Sequence, residues 1–215
     1  MPYTVYKPPG IPVFPPHSNP AGDCVLHRLL DSGCVNASVS WPEGFAGGIA
    51  HRLDVSTSGA LLVAHGLDEL GAIREQFAQK RFVKTYRLRV SRDVSWDENQ
   101  CDRPIAHDRR RRSRMIVQRG KSTPHRGKWL PASTCFRRVQ GDVFEAEMRT
   151  GVMHQIRVHA AFLGIPLLGD STYGGGQTPN SADAGVRFFL YHVGLSSSVF
   201  QTDPVSIPGW AAPVT

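Results

Sequence analysis

Two stretches of this chain alternate strictly between apolar and polar residues, and they constrain its fold more than any other feature. In RFVKTYRLRV, Phe82, Tyr86, Leu88 and Val90 share one face, while Arg87 and Arg89 share the other. VFEAEMRT repeats the pattern, with Phe144, Ala146 and Met148 opposite Glu145, Glu147 and Arg149. A period of two puts successive side chains on opposite faces of a pleated strand. One buried face and one wet face belong to an antiparallel sheet, since strands of a parallel sheet are apolar on both faces. Helical periods lie between these strands. SNPAGDCVLHRLLDSG predicts a helix capped by Ser18 or Asn19, with Pro20 in its first turn and Gly33 after its end. LDELGAIREQFAQKR sets Leu67, Leu70, Ile73 and Phe77 on one helical face, with acids in the first turn and Lys80 and Arg81 at the end. MHQIRVHAAFLG predicts a short helix stopped by Gly164. YTVYK opens a strand that runs into a Pro/Gly loop, ALLVAH reads as a buried strand and RFFLYHVGL as a late one, and residues 171–183 read as turns. With no regular strand-helix-strand rhythm, no repeat and no linker, the expectation is an α+β fold. Its core is a mixed, mainly antiparallel central sheet with flanking helices, forming one catalytic domain over residues 1–215.

Composition narrows the function classes. The 215 residues suffice for a sizeable core, and a hydrophobic content of 40% is too high for a disordered chain. No apolar run is long enough to span a bilayer, and MPYTVYKPPG lacks a charged-then-apolar signal layout, so a cytoplasmic location is expected. Cys24, Cys34, Cys101 and Cys135 form no CxxC pair and no disulfide framework, which argues against a structural zinc site. The net charge is +7, and its distribution says more than its size: from Arg103 to Lys128 there are ten Lys/Arg and a single acid, Asp108. Such a patch attracts a polyanion, RNA or DNA being the usual one, although a charge run alone is more often the mark of a solvated loop.

The stretch GGIAHRLDVSTSGALLVAH carries the most unusual chemistry. Asp54 follows Arg52 and precedes Ser56, Thr57, Ser58 and Gly59, a set that permits a tight loop rich in hydrogen-bond donors. A carboxylate held ionised there has the means to attack an electrophilic carbon or stabilise a cation. Taken alone, an aspartate that merely closes a turn is the more ordinary reading. Tyr86 on its apolar face is either core packing or a ring for stacking on a base. Arg157 on the short helix is either a surface residue or a planar fork for a carboxylate such as Asp54. His154 and His159 are five apart, the wrong helical spacing for a shared metal, and the chain has no Walker loop, GxGxxG, GxSxG or HExxH motif.

Four stretches, in order, resemble one family, the RluA-type pseudouridine synthases. VYKPPGIPVFP is similar to its opening Lys-Pro-Pro-Gly segment, HRLDVSTSGALLVA to its catalytic motif, KTYRLRV to its Lys-x-Tyr strand, and TGVMHQIRVHAAFLGIPLLGDSTYGG to its His-Gln-Ile-Arg and Gly-Asp-x-x-Tyr-Gly motifs. The resemblance runs over roughly positions 3 to 200. It implies that Asp54 is the catalytic aspartate, Tyr86 the tyrosine that stacks on the uracil, and Arg157 the arginine paired with Asp54. It implies further that His51, Arg52, Thr57, His154 and Gln155 face the substrate. RPIAHDRRRRSRMIVQRGK would be the loop that grips RNA, through Arg109, Arg110, Arg111, Arg112, Arg114 and Lys121. The implied activity is conversion of uridine to pseudouridine in a structured RNA, rRNA or tRNA, by a monomer with a cleft across its sheet, with no cofactor, metal, membrane or DNA.

Three departures from the family pattern stand out. Val152 and Met153 occupy positions where Arg or Lys usually follows Thr-Gly; Leu190-Tyr191-His192 stands where Leu-His-Ala is common; and TPHRGKWLPAST is longer than the usual connection. No added N-terminal RNA-binding domain is expected. Two other functions remain open: a non-catalytic RNA-binding or remodelling protein on the same fold, and a hydrolase or nuclease using Asp54 with His51 or His154.

Overall fold

The computed structural model describes residues 1–176, 187–203, 205 and 208–211. The chain divides into two compact units, Met1–Lys84 with His192–Ile207, and Thr85–Tyr191 with Pro208–Thr215.

In the first unit, β1 (Tyr3–Lys7) pairs antiparallel with β2 (Ser58–Val63), from Tyr3 opposite Val63 to Lys7 opposite Gly59. The other neighbour of β2 is β10 (Leu190–Ser196). Every residue of β2 is buried, as the apolar run ALLV requires. Helix α2 (Leu67–Ala78) contributes Leu70 and Ile73 to a core shared with Ala50, Leu62, Phe82 and Leu195, and Phe77 packs at its edge. Leu67, expected on the same face, lies in the first turn and stays half exposed.

Helix α1 (Val25–Asp31) starts later than the sequence predicts. Asn19 is spent on turns: its N–H donates to Pro16 O and its carbonyl accepts the Gly22 N–H. The cap is Cys24, whose sulfur accepts the His27 N–H, while the N–H groups of Val25 and Leu26 donate to Pro12 and Val13 of the preceding loop. Burial of Val25 and Leu26 thus fixes the start of the helix where capping preference alone misplaces it. Gly33 follows the end with a left-handed φ of 69°, as expected.

The second unit holds the alternating strands. Beyond Lys84, β3 (Val83–Arg89) leads a row ordered β3, β9 (Val143–Met148), β8 (Thr134–Gln140), β4 (Glu98–Cys101), with antiparallel pairing of β9 to β8 and β8 to β4. Tyr86, Leu88, Phe144, Ala146 and Met148 are all buried, and the opposite face carries the ion pairs Arg87–Glu145 (3.1 Å) and Arg89–Asp142 (2.9 Å). The period-two reading therefore holds in both strands. The fold class is α+β with mainly antiparallel strands, as expected.

The basic stretch is not a plain loop. It forms a second sheet, β6 (Met115–Val117), β5 (Ile105–Asp108) and β7 (His125–Leu130) in that order, antiparallel throughout. Ile105, Met115 and Val117 anchor it in a small core with Ala132, Val158 and Tyr173. These few apolar residues are enough to order strands that the surrounding charge conceals. Helix α3 (Gln155–Phe162) supplies Val158 to that core, and Gly164 with φ 87° terminates it. In the turn-like stretch 171–183, residues 171–174 form turns and 175–176 are irregular; the remainder lies outside the described residues. Among the described residues, no helix is long and apolar enough to cross a membrane.

Candidate active site

In the first unit the chain leaves His51 and turns at Asp54, closed by the Thr57 N–H donating to Asp54 O (3.0 Å). Leu53 and Thr57 are buried, Arg52 and Val55 are exposed, and Asp54 is half-buried between them. The turn is tied from below. The Lys7 ammonium, fully buried, donates to Pro8 O (3.0 Å), Val55 O (3.0 Å) and Thr57 O (2.7 Å). Burial pushes the Lys7 ammonium down to about 8, and the negative charge of Asp54 opposes that shift. A third strap joins the Gly10 N–H to Val55 O (2.9 Å). The turn that carries Asp54 is thus fixed by a lysine 47 positions earlier, the Lys of the Lys-Pro-Pro-Gly segment.

Behind the turn, His51 Nε2 accepts the Leu62 N–H (3.2 Å), and the ring meets His192 edge-on at 5.4 Å. Burial, helped by His192 and Lys84, holds His51 well below the usual imidazole range. His192 is fully buried and donates from Nδ1 to Ala60 O (2.6 Å); burial lowers it to about 4. Both rings are therefore neutral at pH 7 and serve as packing and hydrogen-bonding groups. The departure at Leu190-Tyr191-His192 thereby gains a role: His192 braces the ring of the HRLD motif. Gly59, at φ 123°, lies so close to the His192 backbone that a Cβ would collide with its carbonyl.

In the second unit, Tyr86 is 7% exposed on β3. Arg157 leaves α3 with its guanidinium forked on Asp170: Nε to Oδ2 at 2.7 Å, Nη2 to Oδ1 at 2.9 Å. Asp170 is 1% exposed and also accepts the N–H groups of Thr172 and Tyr173. The guanidinium lies over the rings of Tyr173 (5.1 Å) and Phe188 (5.3 Å). A bidentate ion pair between aromatic planes fixes an arginine in one orientation. Asp170 was not foreseen as its partner, although it sits in the quoted Gly-Asp-x-x-Tyr-Gly motif.

His154 stands at the start of α3 in the left-handed region, φ 56°. Its Nδ1 lies 3.0 Å from the Tyr173 hydroxyl, which also accepts the Met115 N–H (2.9 Å). Burial pushes the Tyr173 phenol up to about 12, so it stays protonated. One hydroxyl thus joins α3 to the first residue of β6. Gln155 is 2% exposed and its four hydrogen-bonding places are filled inside the chain: Oε1 accepts from Thr150 Oγ1 and the Val152 N–H, and Nε2 donates to Ser133 O and Thr134 Oγ1. It positions the Thr150-Gly151 turn. His159 is likewise occupied, with Nδ1 on Thr134 Oγ1 (2.9 Å) and Nε2 on Arg103 O (2.9 Å). Arg109, Arg110, Arg111, Arg112 and Lys121 are exposed, and Arg114 is half-buried. Asp108 Oδ1 accepts the N–H groups of Arg110 and Arg111, and these bonds hold its carboxyl below the usual range.

The profile of the RNA pseudouridylate synthase family matches residues 3–162, which include Asp54, Tyr86 and Arg157. The chain belongs to this family. It is 34% identical over 160 residues to "RNA pseudouridine synthase 2, chloroplastic" of Oryza sativa subsp. japonica, covering 73% of this chain and 36% of that protein. It is 33% identical over 187 residues to "Ribosomal large subunit pseudouridine synthase D" of Nitrosomonas europaea, covering 84% and 50%. The chain thus spans half or less of the length of these two relatives. Among solved structures, "Human RNA Pseudouridylate Synthase Domain Containing 1" superposes with a TM-score of 0.62 at 25% identity, over 74% of this chain and 69% of that one. "Human RNA Pseudouridylate Synthase Domain Containing 4" gives 0.66 over 97% and 86%, at an identity of 20% that speaks for the fold alone. Asp170, Tyr173 and His192 lie beyond the profile match.

Proposed function

We propose that this chain converts uridine to pseudouridine within RNA, with Asp54 as the group that acts at the ribose. The observation that carries the reading is the construction of the Asp54 turn. A carboxylate on a half-buried turn, backed by a fully buried ammonium and closed by a buried threonine, is prepared for chemistry rather than for solvent. Nothing in a simple turn calls for a lysine buried beneath it.

The reaction breaks the N1–C1′ bond, turns the uracil and joins C5 to C1′. N1 takes up a proton and the C5 hydrogen leaves as one, so the product is an isomer; no electrons are gained or lost, and no redox cofactor is needed. Because C1′ lies inside the helix in paired RNA, the nucleotide must leave its stack. Asp54 then meets the sugar, either as a nucleophile at C1′ or as a base at the 2′ carbon. Tyr86 holds the detached uracil by stacking. Arg157 is held in one orientation by its fork on Asp170. Arg52 and the arginines at 109–112 and 114 hold phosphates and set register. Both units serve one catalytic domain acting as a monomer, and a structured rRNA or tRNA in the cytoplasm is the substrate.

The test is release of tritium from RNA transcribed with [5-³H]uridine. Wild-type protein should release label in step with pseudouridine found by nuclease digestion and chromatography. Asp54→Asn should fold, bind the RNA and release none. Tight binding with no release by wild-type protein would favour the remodelling alternative.

A further inference from the structure

The ends of β5 and β6, the turns beside them and α3 line an open cavity of about 720 Å³, all of whose lining residues belong to the second unit. Neither Asp54 nor Tyr86 lines it. Its size falls in the ~300–1,000 Å³ range of clefts that hold small ligands. Two kinds of surface meet there. One wall carries Arg109, Arg110, Arg114 and Arg119; the floor is Val158, Ala161 and Phe162 of α3. The one acid in the lining, Asp108, already spends Oδ1 on the N–H groups of Arg110 and Arg111, so the wall is strongly positive.

Arg114 adds a sharper signal. Its Nε is buried and has no acceptor among the described residues, while its guanidinium lies over the Tyr173 ring at 5.5 Å. A buried donor on a charged group is costly to leave unpaired, and a ligand that brings an acceptor oxygen removes that cost. A bare phosphate would satisfy the arginines but would leave the apolar floor empty. An apolar ligand would do the reverse. A nucleotide has both halves, a phosphate for the arginines and a flat base for Phe162.

We propose that this cavity seats one unstacked nucleotide of the bound RNA, other than the uridine that reacts. Its phosphate lies against Arg110, Arg114 and Arg119, and its base lies on Phe162 and Ala161. Through Tyr173, which bonds both Met115 of β6 and His154 of α3, occupancy of the cavity bears on the same helix that carries Arg157. This inference rests on the reading that RNA is the substrate.

The experiment uses the full chain and a 20-nucleotide single-stranded RNA containing 4-thiouridine. After irradiation, the crosslinked peptides are identified by mass spectrometry, and affinity is measured by fluorescence anisotropy. A crosslink is expected on Phe162, Tyr173 or Pro124. Ala161→Trp, which fills the cavity, and Arg119→Ala, which leaves its shape intact, should each weaken binding about tenfold and suppress that crosslink. The second variant decides the matter if the first does not fold. Crosslinks confined to other peptides, with affinity unchanged in Arg119→Ala, would overturn the proposal. So would uridine monophosphate that abolishes the crosslink and binds as tightly as the oligonucleotide, since the site would then belong to a free nucleotide. Wild-type protein is assayed in parallel for tritium release: label released with no cavity crosslink defeats the cavity alone, and a cavity crosslink with no release defeats the enzyme reading alone.

Discussion

The Asp54 turn and the arginine turn at 109–114 are built on opposite principles. Around Asp54 the supporting groups are buried: Lys7 and Thr57 lie inside, and three carbonyls are gathered on one ammonium. Around Arg109–Arg112 the charged groups are exposed, and the turn is held by backbone bonds to Asp108 and by a Thr123 clasp on the N–H groups of Arg119 and Gly120. The first arrangement holds one carboxylate in one place, as the proposed bond-making at a sugar carbon requires. The second offers several guanidinium groups that a polyanion approaches from many directions, which capture demands. Substitutions in the two regions should therefore fail in different ways.

The largest effect expected is at Asp54. Asp54→Ala should abolish pseudouridine formation, while urea unfolding shifts by no more than about 1 kcal/mol; a comparable loss of stability would mean that the turn, and not the carboxylate, had been lost. Next comes the pair that fixes Arg157. Asp170→Ala leaves a buried guanidinium without its fork and should cost about 3–5 kcal/mol in urea unfolding. Lys7→Met strips three carbonyls of their donor, and a loss of about 2–3 kcal/mol is expected, with a still larger fractional loss of rate. An unchanged rate in a folded Lys7→Met protein would break the comparison, because the burial around Asp54 would then serve stability alone.

The exposed region should behave otherwise. Arg110→Ala and Arg112→Ala should each weaken RNA binding, reduce the slope of log affinity against log salt by about 1, and leave urea unfolding within about 0.5 kcal/mol of wild type. A more gradual effect, spread over the pH scale, is expected from acid. His192, lowered to about 4 in the fold against 6.5 unfolded, binds fewer protons when folded across that window. Its contribution is full above pH 6.5 and is lost as pH falls towards 4, on the order of 3 kcal/mol in all. His51 acts in the same direction. Urea midpoints at pH 7 and pH 5 check this, and His192→Asn should flatten the difference.

Much of this was legible in the sequence, and the misses share a cause. The alternation in β3 and β9 was readable because one face is buried and the other wet. Asp54, Tyr86 and Arg157 are singled out only by motif resemblance, since an aspartate in a turn, a tyrosine on a strand and an arginine on a helix each have an ordinary reading. The three short strands at 105–130 were hidden because β5 and β6 carry only a few buried apolar residues among many charges and β7 carries none. The start of α1 was misplaced because local capping residues were outweighed by burial of Val25 and Leu26. Lys7, Asp170, Tyr173 and His192 were all within quoted segments, yet their roles depend on partners up to 132 positions away, as for His192 and Ala60. No local pattern carries that information.

The most direct test of the central claim is pseudouridine mapping of total RNA, by carbodiimide labelling and primer extension, in cells lacking this gene and in cells restored with wild-type or Asp54→Ala protein. The account predicts a modified uridine that vanishes with the gene, returns with wild-type protein and stays absent with Asp54→Ala. A site that returns equally with Asp54→Ala would contradict it.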